Sequence, residues 1–137
     1  MTTRLLTPAF VALAALTAVW VAPVGAHHSF AAEFDAGKPV TLKGVVTQID
    51  WTNPHVWFYI TMKDEEGRTA RWACEMGAPH QLQQRGWLRD TMKVGDVVTV
   101  AGSLARDGSK RANARTVTTA DGKTLGAASS GDSTTRP

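Results

Sequence analysis

Apolar and polar residues alternate over most of the chain after residue 40, and this period of two predicts β-strands. The first strand is rich in β-branched residues and carries Gly44 where a strand would have to bend or bulge. In the third strand the alternation places Cys74 on the apolar face, so its thiol is predicted to be buried and inert. The predicted strands cover residues 40–49, 55–62, 69–76, 97–104 and 112–119.

A short helix is predicted between the third and fourth strands. Pro79 suits the first turn of this helix, Gly86 suits the position just after it, and Trp87 is expected to fold back onto the core. The resulting order of three strands, one helix and two strands is that of the five-stranded OB barrel, so we predict a mainly β, OB-like fold. The predicted organisation is a signal peptide at 1–26, an irregular arm at 27–38, the barrel at 39–125 and a disordered tail at 126–137.

The N-terminal segment has the pattern of a secretory signal peptide. Arg4 precedes an apolar stretch over residues 5–22, and the small residues Val24 and Ala26 occupy positions −3 and −1 of a cleavage site. The Pro-Val-Gly sequence at the end of the stretch argues against an uncleaved membrane anchor. We therefore expect export to the periplasm or the medium, with no stable membrane insertion after cleavage.

Composition narrows the classes of function further. Fifteen Lys and Arg against twelve Asp and Glu give a net charge of +3, and the basic residues are dispersed, so nucleic acid is not an expected partner. The single cysteine cannot form an internal disulfide. No catalytic pair or triad is indicated by the spacing of Ser29, Glu33, Asp35, Asp50 and Glu75. The chain is thus expected to be a binding or accessory module rather than an enzyme, with a metal ion or an envelope protein as its partner.

Several short motifs resemble those of a known protein family. They are His27-His28-Ser29-Phe30, Glu33-Phe34-Asp35, Trp51-Thr52-Asn53-Pro54-His55, Gly86-Trp87, Val94-Gly95-Asp96 and Arg106-Asp107-Gly108-Ser109. Together they are similar to a family of small exported bacterial proteins defined only as a domain of unknown function. The resemblance covers essentially the whole chain after the signal peptide and implies export and one compact domain, without implying a reaction.

The four histidines supply the sharpest chemical hypothesis. Cleavage after Ala26 would make His27 the first residue, and its amine and imidazole could then chelate one ion. A third nitrogen from His55, or from His28 or His80 as substitutes, would complete a nitrogen-rich site of the kind that suits copper. The open alternatives are that the paired histidines are solvated, that His55 fixes a turn through a backbone hydrogen bond, and that His80 is a surface residue.

A second hypothesis needs no metal. An aromatic face on the outside of the barrel could bind a sugar, a peptide or a partner protein, as OB folds do. The alternative is that the tryptophans seal the ends of a small barrel. The candidate residues of this face are Trp51, Asn53, Trp57, Tyr59, Arg71 and Glu75.

Overall fold

The fold, taken from a computed structural model, is described for residues 30–129. The elements are α1 (Phe30–Glu33), β1 (Phe34–Asp50), β2 (Trp57–Lys63), β3 (Thr69–Glu75), α2 (Pro79–Gln84), β4 (Val97–Ala105), β5 (Arg111–Thr118) and β6 (Thr124–Gly126). Within this part of the chain, neither helix is long and apolar enough to span a membrane. All five predicted strands and the predicted helix are present, and β6 is an addition.

The strands form one sheet that closes on itself. Their order is β3-β2-β1-β4-β5-β6, and each neighbouring pair is antiparallel. A parallel pairing of β3 with β5, from Ala73 to Glu75 on the β3 side, joins the two ends into a ring of five strands. This ring, with α2 between β3 and β4, confirms the predicted mainly β, OB-like fold.

Strand β1 changes partners near its middle. It pairs with β4 from Phe34 to Val45 and with β2 from Val45 to Asp50. Gly44 lies at this change, where a Cβ atom would come within 2.8 Å of the carbonyl oxygen of Thr61. The glycine therefore permits a close approach of two strands that any side chain would obstruct.

Replacing Gly44 by alanine is expected to lower the free energy of unfolding by about 1–3 kcal/mol, because two backbones must move apart. Urea denaturation followed by circular dichroism measures the loss. Gly126→Ala is the matched control, since its new Cβ would lie 3.7 Å from the Arg85 side chain, an ordinary contact. Equal losses in the two variants would contradict the role assigned to Gly44.

The core lies inside the ring and is built from the apolar faces that the alternation predicts. Val56, Phe58 and Ile60 of the second predicted strand are completely buried, as is Cys74. Burial raises the pKa of the Cys74 thiol to about 12, so the thiolate needed for reactivity is scarce at neutral pH. Trp87 is also fully buried, which confirms that it folds back onto the core.

The N-terminal arm is more regular than its sequence suggested. Residues 30–33 form α1, and β1 begins at Phe34, well before the predicted start at residue 40. Phe34 is 1% exposed and its ring stacks on that of Phe30 at 5.9 Å, so this part of the arm packs on the barrel. The predicted signal peptide at 1–26 and residues 27–29 lie outside the described residues.

The predicted disordered tail begins too early at residue 126. Gly126 is the last residue of β6, and Ala127, Ala128 and Ser129 are buried. The amide of Ala127 donates to the carbonyl of Arg115, so the segment continues along the sheet. Small residues are typical of disordered tails, whereas here their size lets the backbone pack closely. Residues 130–137 lie outside the described part of the chain.

Candidate functional site

The candidate site lies where β2 begins and β3 ends. His55 stands two residues before Trp57, and the antiparallel register places Trp57 opposite Glu75. Nδ1 of His55 lies in contact with the carboxyl oxygen Oε1 of Glu75, and the two form an ion pair when the imidazole is protonated and the carboxyl group is ionised. The amide of Met76 donates to the carbonyl of Val56 at 2.8 Å, which holds the two strand ends together. Backbone pairing therefore brings the imidazole and the carboxylate into contact.

Glu75 is an unusual carboxyl group because it is only 5% exposed. Burial raises its pKa from 4.5 to about 7, the negative charge of Glu33 adds to the rise, and the Arg111 guanidinium opposes it. At neutral pH this carboxyl group is consequently close to its midpoint of ionisation. His55 is partly open to solvent, with 30% of its side chain exposed, so the pair has one buried and one accessible member.

Ion pairs and a backbone hydrogen bond hold α1 in place near the His55–Glu75 pair. The Arg111 guanidinium lies 3.7 Å from the Glu33 carboxylate and 3.1 Å from that of Asp107. The amide of Arg106 donates to the carbonyl of Glu33 at 2.8 Å. The end of α1 is thus fixed to the β4–β5 hairpin, close enough to Glu75 for its charge to affect the carboxyl group.

Glu75 belongs to a row of buried polar side chains that crosses three strands. The register pairs Glu75 with Asn113 and Asn113 with Ser103, and each of the three is at most 5% exposed. Because Cys74 and Ala112 face the core, this row lies on the outer side of the sheet.

The row is only partly satisfied by hydrogen bonds. Asn113 donates from Nδ2 to the hydroxyl oxygen of Ser129 at 3.0 Å. Its Oδ1 atom and the hydroxyl group of Ser103 are buried without a hydrogen-bond partner. Leaving such groups unpaired is unfavourable, and in native proteins it is often associated with a site that has a function. Sequence reasoning missed both residues, although an asparagine between Ala112 and Ala114 was a usable signal.

The register places Trp57, Tyr59, Arg71 and Glu75 of the predicted aromatic face on the same side of β2 and β3. Arg71 lies 4.3 Å from the centroid of the Tyr59 ring and also donates to the side chain of Gln48 at 2.8 Å. Trp51 packs against the core, and Trp57 is half-buried beside Glu75. Asn53 is exposed and precedes Pro54 through a cis peptide bond. The structure therefore joins Tyr59 to Arg71 and Glu75 to His55.

The four histidines are not all placed by the structure. His80 lies on α2 and is exposed, while His27 and His28 lie outside the described residues. Between residues 30 and 129 no group of three or more His, Cys, Asp or Glu side chains could hold a metal ion.

Comparison with known protein families assigns the chain to one of them. The model of a family of unknown function (DUF6152) matches residues 15–114. The chain belongs to this family. A comparison with curated proteins gave no match. The DUF6152 match spans His55, Glu75 and Asn113, so the His55–Glu75 pair and the polar row lie inside the matched segment. Membership of DUF6152 confirms the predicted resemblance to an uncharacterised family and brings no assigned activity.

Proposed function

We propose that this DUF6152 protein is an exported binding protein of the cell envelope that captures Cu(II) at the end of the barrel marked by His55 and Glu75. The observation that carries the proposal is the contact between Nδ1 of the accessible His55 and the carboxyl group of the buried Glu75. Metal-binding histidines commonly use one ring nitrogen for the metal and the other for such an orienting carboxylate. In this arrangement Nε2 of His55 is the metal ligand and Glu75 is a positioning residue.

The start of the exported chain is proposed to supply the other ligands. His27 stands three residues before Phe30, and those residues can span at most about 11 Å. At the other end of the short helix α1, Glu33 is held by Arg111 near Glu75. A terminus attached to α1 is therefore well placed to approach His55. Cleavage after Ala26 would provide an amine and an imidazole on one residue, and His28 offers a further imidazole.

Copper is the metal that suits this donor set. Amine and imidazole nitrogens favour Cu(II) over the other common divalent ions, including zinc. Zinc sites in small proteins usually draw on cysteine thiolates, and the only cysteine of this chain is buried in the core. The proposal concerns capture or delivery of the ion and assigns no reaction to it.

The proposal is tested with protein purified from the periplasm with its natural N-terminus. Intact mass is expected to show a chain that starts at His27, and titration with Cu(II) is expected to give one tight site with the electron paramagnetic resonance signal of nitrogen ligands. His55→Ala should weaken binding by about 100-fold, and Glu75→Gln by about 10-fold. A protein that retains a methionine before His27 should also bind weakly, because its amine is displaced.

His80→Ala is the matched control, since it removes an exposed histidine that the proposal leaves out of the site. It should bind copper as the unaltered protein does. Equal affinity of the His55→Ala variant, or a mature chain that starts at another residue, would exclude the proposed site.

A further inference from the structure

A groove lies at the opposite end of β2 from the His55–Glu75 pair. Its volume is about 570 Å³, within the range of about 300–1,000 Å³ that is typical of small-molecule sites. Its lining residues come from β3, β2, β1 and β4, which follow one another in the sheet, so the groove crosses the strands and does not run along one of them. Strand β2 begins beside Glu75 at Trp57 and ends in the groove at Lys63. An inference about this groove is therefore independent of the proposed copper site.

A row of apolar and methyl-bearing side chains crosses the groove. The register pairs Val45 of β1 with Val97 of β4 on one side and with Thr61 of β2 on the other. The neighbouring residues Val46 and Val98 are buried in the core, so the row lies on the outer face of the sheet. Val45 and Val97 are 42% and 47% exposed. Exposed apolar side chains that meet in a concave site are typical of a surface that binds a ligand.

Two lysines lie beside this row on the same face of the sheet. Lys43 stands two residues before Val45 on β1, and side chains two residues apart on a strand share a face. Lys63 stands two residues after Thr61 on β2. Because β1 and β2 are antiparallel and Val45 pairs with Thr61, both lysines lie on the same side of the row. The groove thus has one apolar side and one cationic side.

The charges of the two lysines are not neutralised within the described part of the chain. No acidic side chain is among the described lining residues, and neither Lys43 nor Lys63 forms an ion pair there. The ammonium group of Lys63 lies 3.1 Å from the hydroxyl oxygen of Thr69. Asp96 lines an adjoining cavity of about 410 Å³, and its carboxylate accepts a hydrogen bond from the amide of Lys93 at 2.9 Å. The lysines therefore favour an anionic ligand.

The two sides of the groove together define the chemistry of its ligand. A small polar anion would leave the valines in contact with water, and a neutral apolar molecule would leave the ammonium groups without a partner. A flexible alkyl chain that ends in an anionic group satisfies both sides. Such a chain contacts only one face of the sheet and can lie across the strands, as the groove does.

We infer that the groove binds a single-chain anionic amphiphile of the fatty-acid class. The alkyl chain lies across Val45, Thr61 and Val97, and the carboxylate pairs with Lys43 and Lys63. Burial of methylene groups provides the affinity, and the lysines select the charge of the head group.

The test is a nuclear magnetic resonance titration of the exported protein with dodecanoate, below the concentration at which dodecanoate forms micelles. We expect saturable binding with a Kd below about 1 mM and amide shifts centred on residues 43–47, 61–63 and 97. Octanoate should bind at least about tenfold more weakly, because it buries fewer methylene groups. Dodecyltrimethylammonium has the same chain with a cationic head and should also bind at least about tenfold more weakly.

Two double variants separate the contributions of charge and apolar contact. Lys43→Gln/Lys63→Gln should weaken dodecanoate binding by about tenfold and remove the preference for the anionic head. Val45→Thr/Val97→Thr keeps the branched shape of both side chains and should weaken binding of dodecanoate by about fivefold. Lys110→Gln/Lys123→Gln makes the same change of charge on exposed residues outside the groove and is the matched control, which should bind normally.

Several results would overturn the inference. They are equal binding of the anionic and cationic amphiphiles, an affinity that does not depend on chain length, unchanged affinity in either groove variant, shifts centred outside the groove, and no shift at millimolar dodecanoate. Vesicles of phosphatidylglycerol test a membrane surface as the alternative occupant. Binding to these vesicles without binding of monomeric dodecanoate would also overturn the inference and assign the groove to a lipid bilayer.

Discussion

Replacing Trp87 by alanine is expected to lower the free energy of unfolding by about 3–5 kcal/mol, the range observed for large aromatic residues removed from protein cores. Trp87 is completely buried and follows Gly86, whose φ of 90° turns the chain back after α2. Its indole Nε1 donates to the carbonyl of Gly126 at 2.9 Å. The residue thus links the helix, the core and the last strand, and its removal leaves both a cavity and an unpaired carbonyl.

Urea denaturation followed by far-ultraviolet circular dichroism measures this loss without depending on tryptophan fluorescence. Trp87→Phe keeps most of the volume but removes the indole donor, so it should cost about 1–2 kcal/mol and remain folded if the alanine variant does not. Leu88→Ala is the neighbouring control: Leu88 is 65% exposed, and its loss should change stability by less than about 0.5 kcal/mol. Similar costs for Trp87→Ala and Leu88→Ala would contradict the packing described here.

The barrel was predictable because its signals are local and repeated. Alternation identified the strands, and Pro79 and Gly86 bounded α2 to within a residue. The pairing of β3 with β5 could be inferred only from the order of elements, since nothing in the two segments specifies it. The start of β1 was missed because residues 34–39 contain Gly37 and Pro39, which are typical of loops. They are accommodated at an irregularity in the β1–β4 register between Asp35 and Pro39.

The candidate site was predictable in its residues but not in its pairing. His55 and Glu75 were both named from the sequence, yet for different hypotheses, one as a metal ligand and the other as part of an aromatic face. They are twenty residues apart, and only the β2–β3 register brings them together. The roles of Asn113 and Ser103 were missed for the same reason, because a polar row across three strands has no signature in any one of them.

The stability of the protein is expected to fall by about 2–3 kcal/mol between pH 5 and pH 7.5 through Glu75 alone. The pKa of Glu75 is raised from its ordinary value of 4.5 to about 7 in the folded state. Between these two pH values the folded state therefore holds a proton that the unfolded state has lost. A raised pKa of this kind contributes stability that is fully present below pH 4.5 and disappears as the pH rises through 7. The cause is burial, because ionised Glu75 must remain in a site that is only 5% exposed.

Urea denaturation at several pH values, compared between the unaltered protein and Glu75→Gln, isolates this contribution. Glutamine keeps the shape of the side chain and does not titrate. Between pH 5 and pH 7.5 the free energy of unfolding of the variant should therefore fall by about 2–3 kcal/mol less than that of the unaltered protein. The charged neighbours of Glu75 are His55, Glu33 and Arg111, and all three are present in both proteins. Their own contributions to the pH dependence of stability therefore cancel in the comparison, and only their interaction with the Glu75 charge differs. If the free energy of unfolding depended on pH in the same way in the two proteins, the pKa of Glu75 in the folded state would be the ordinary one. Burial beside His55 would then not raise the pKa of this carboxyl group.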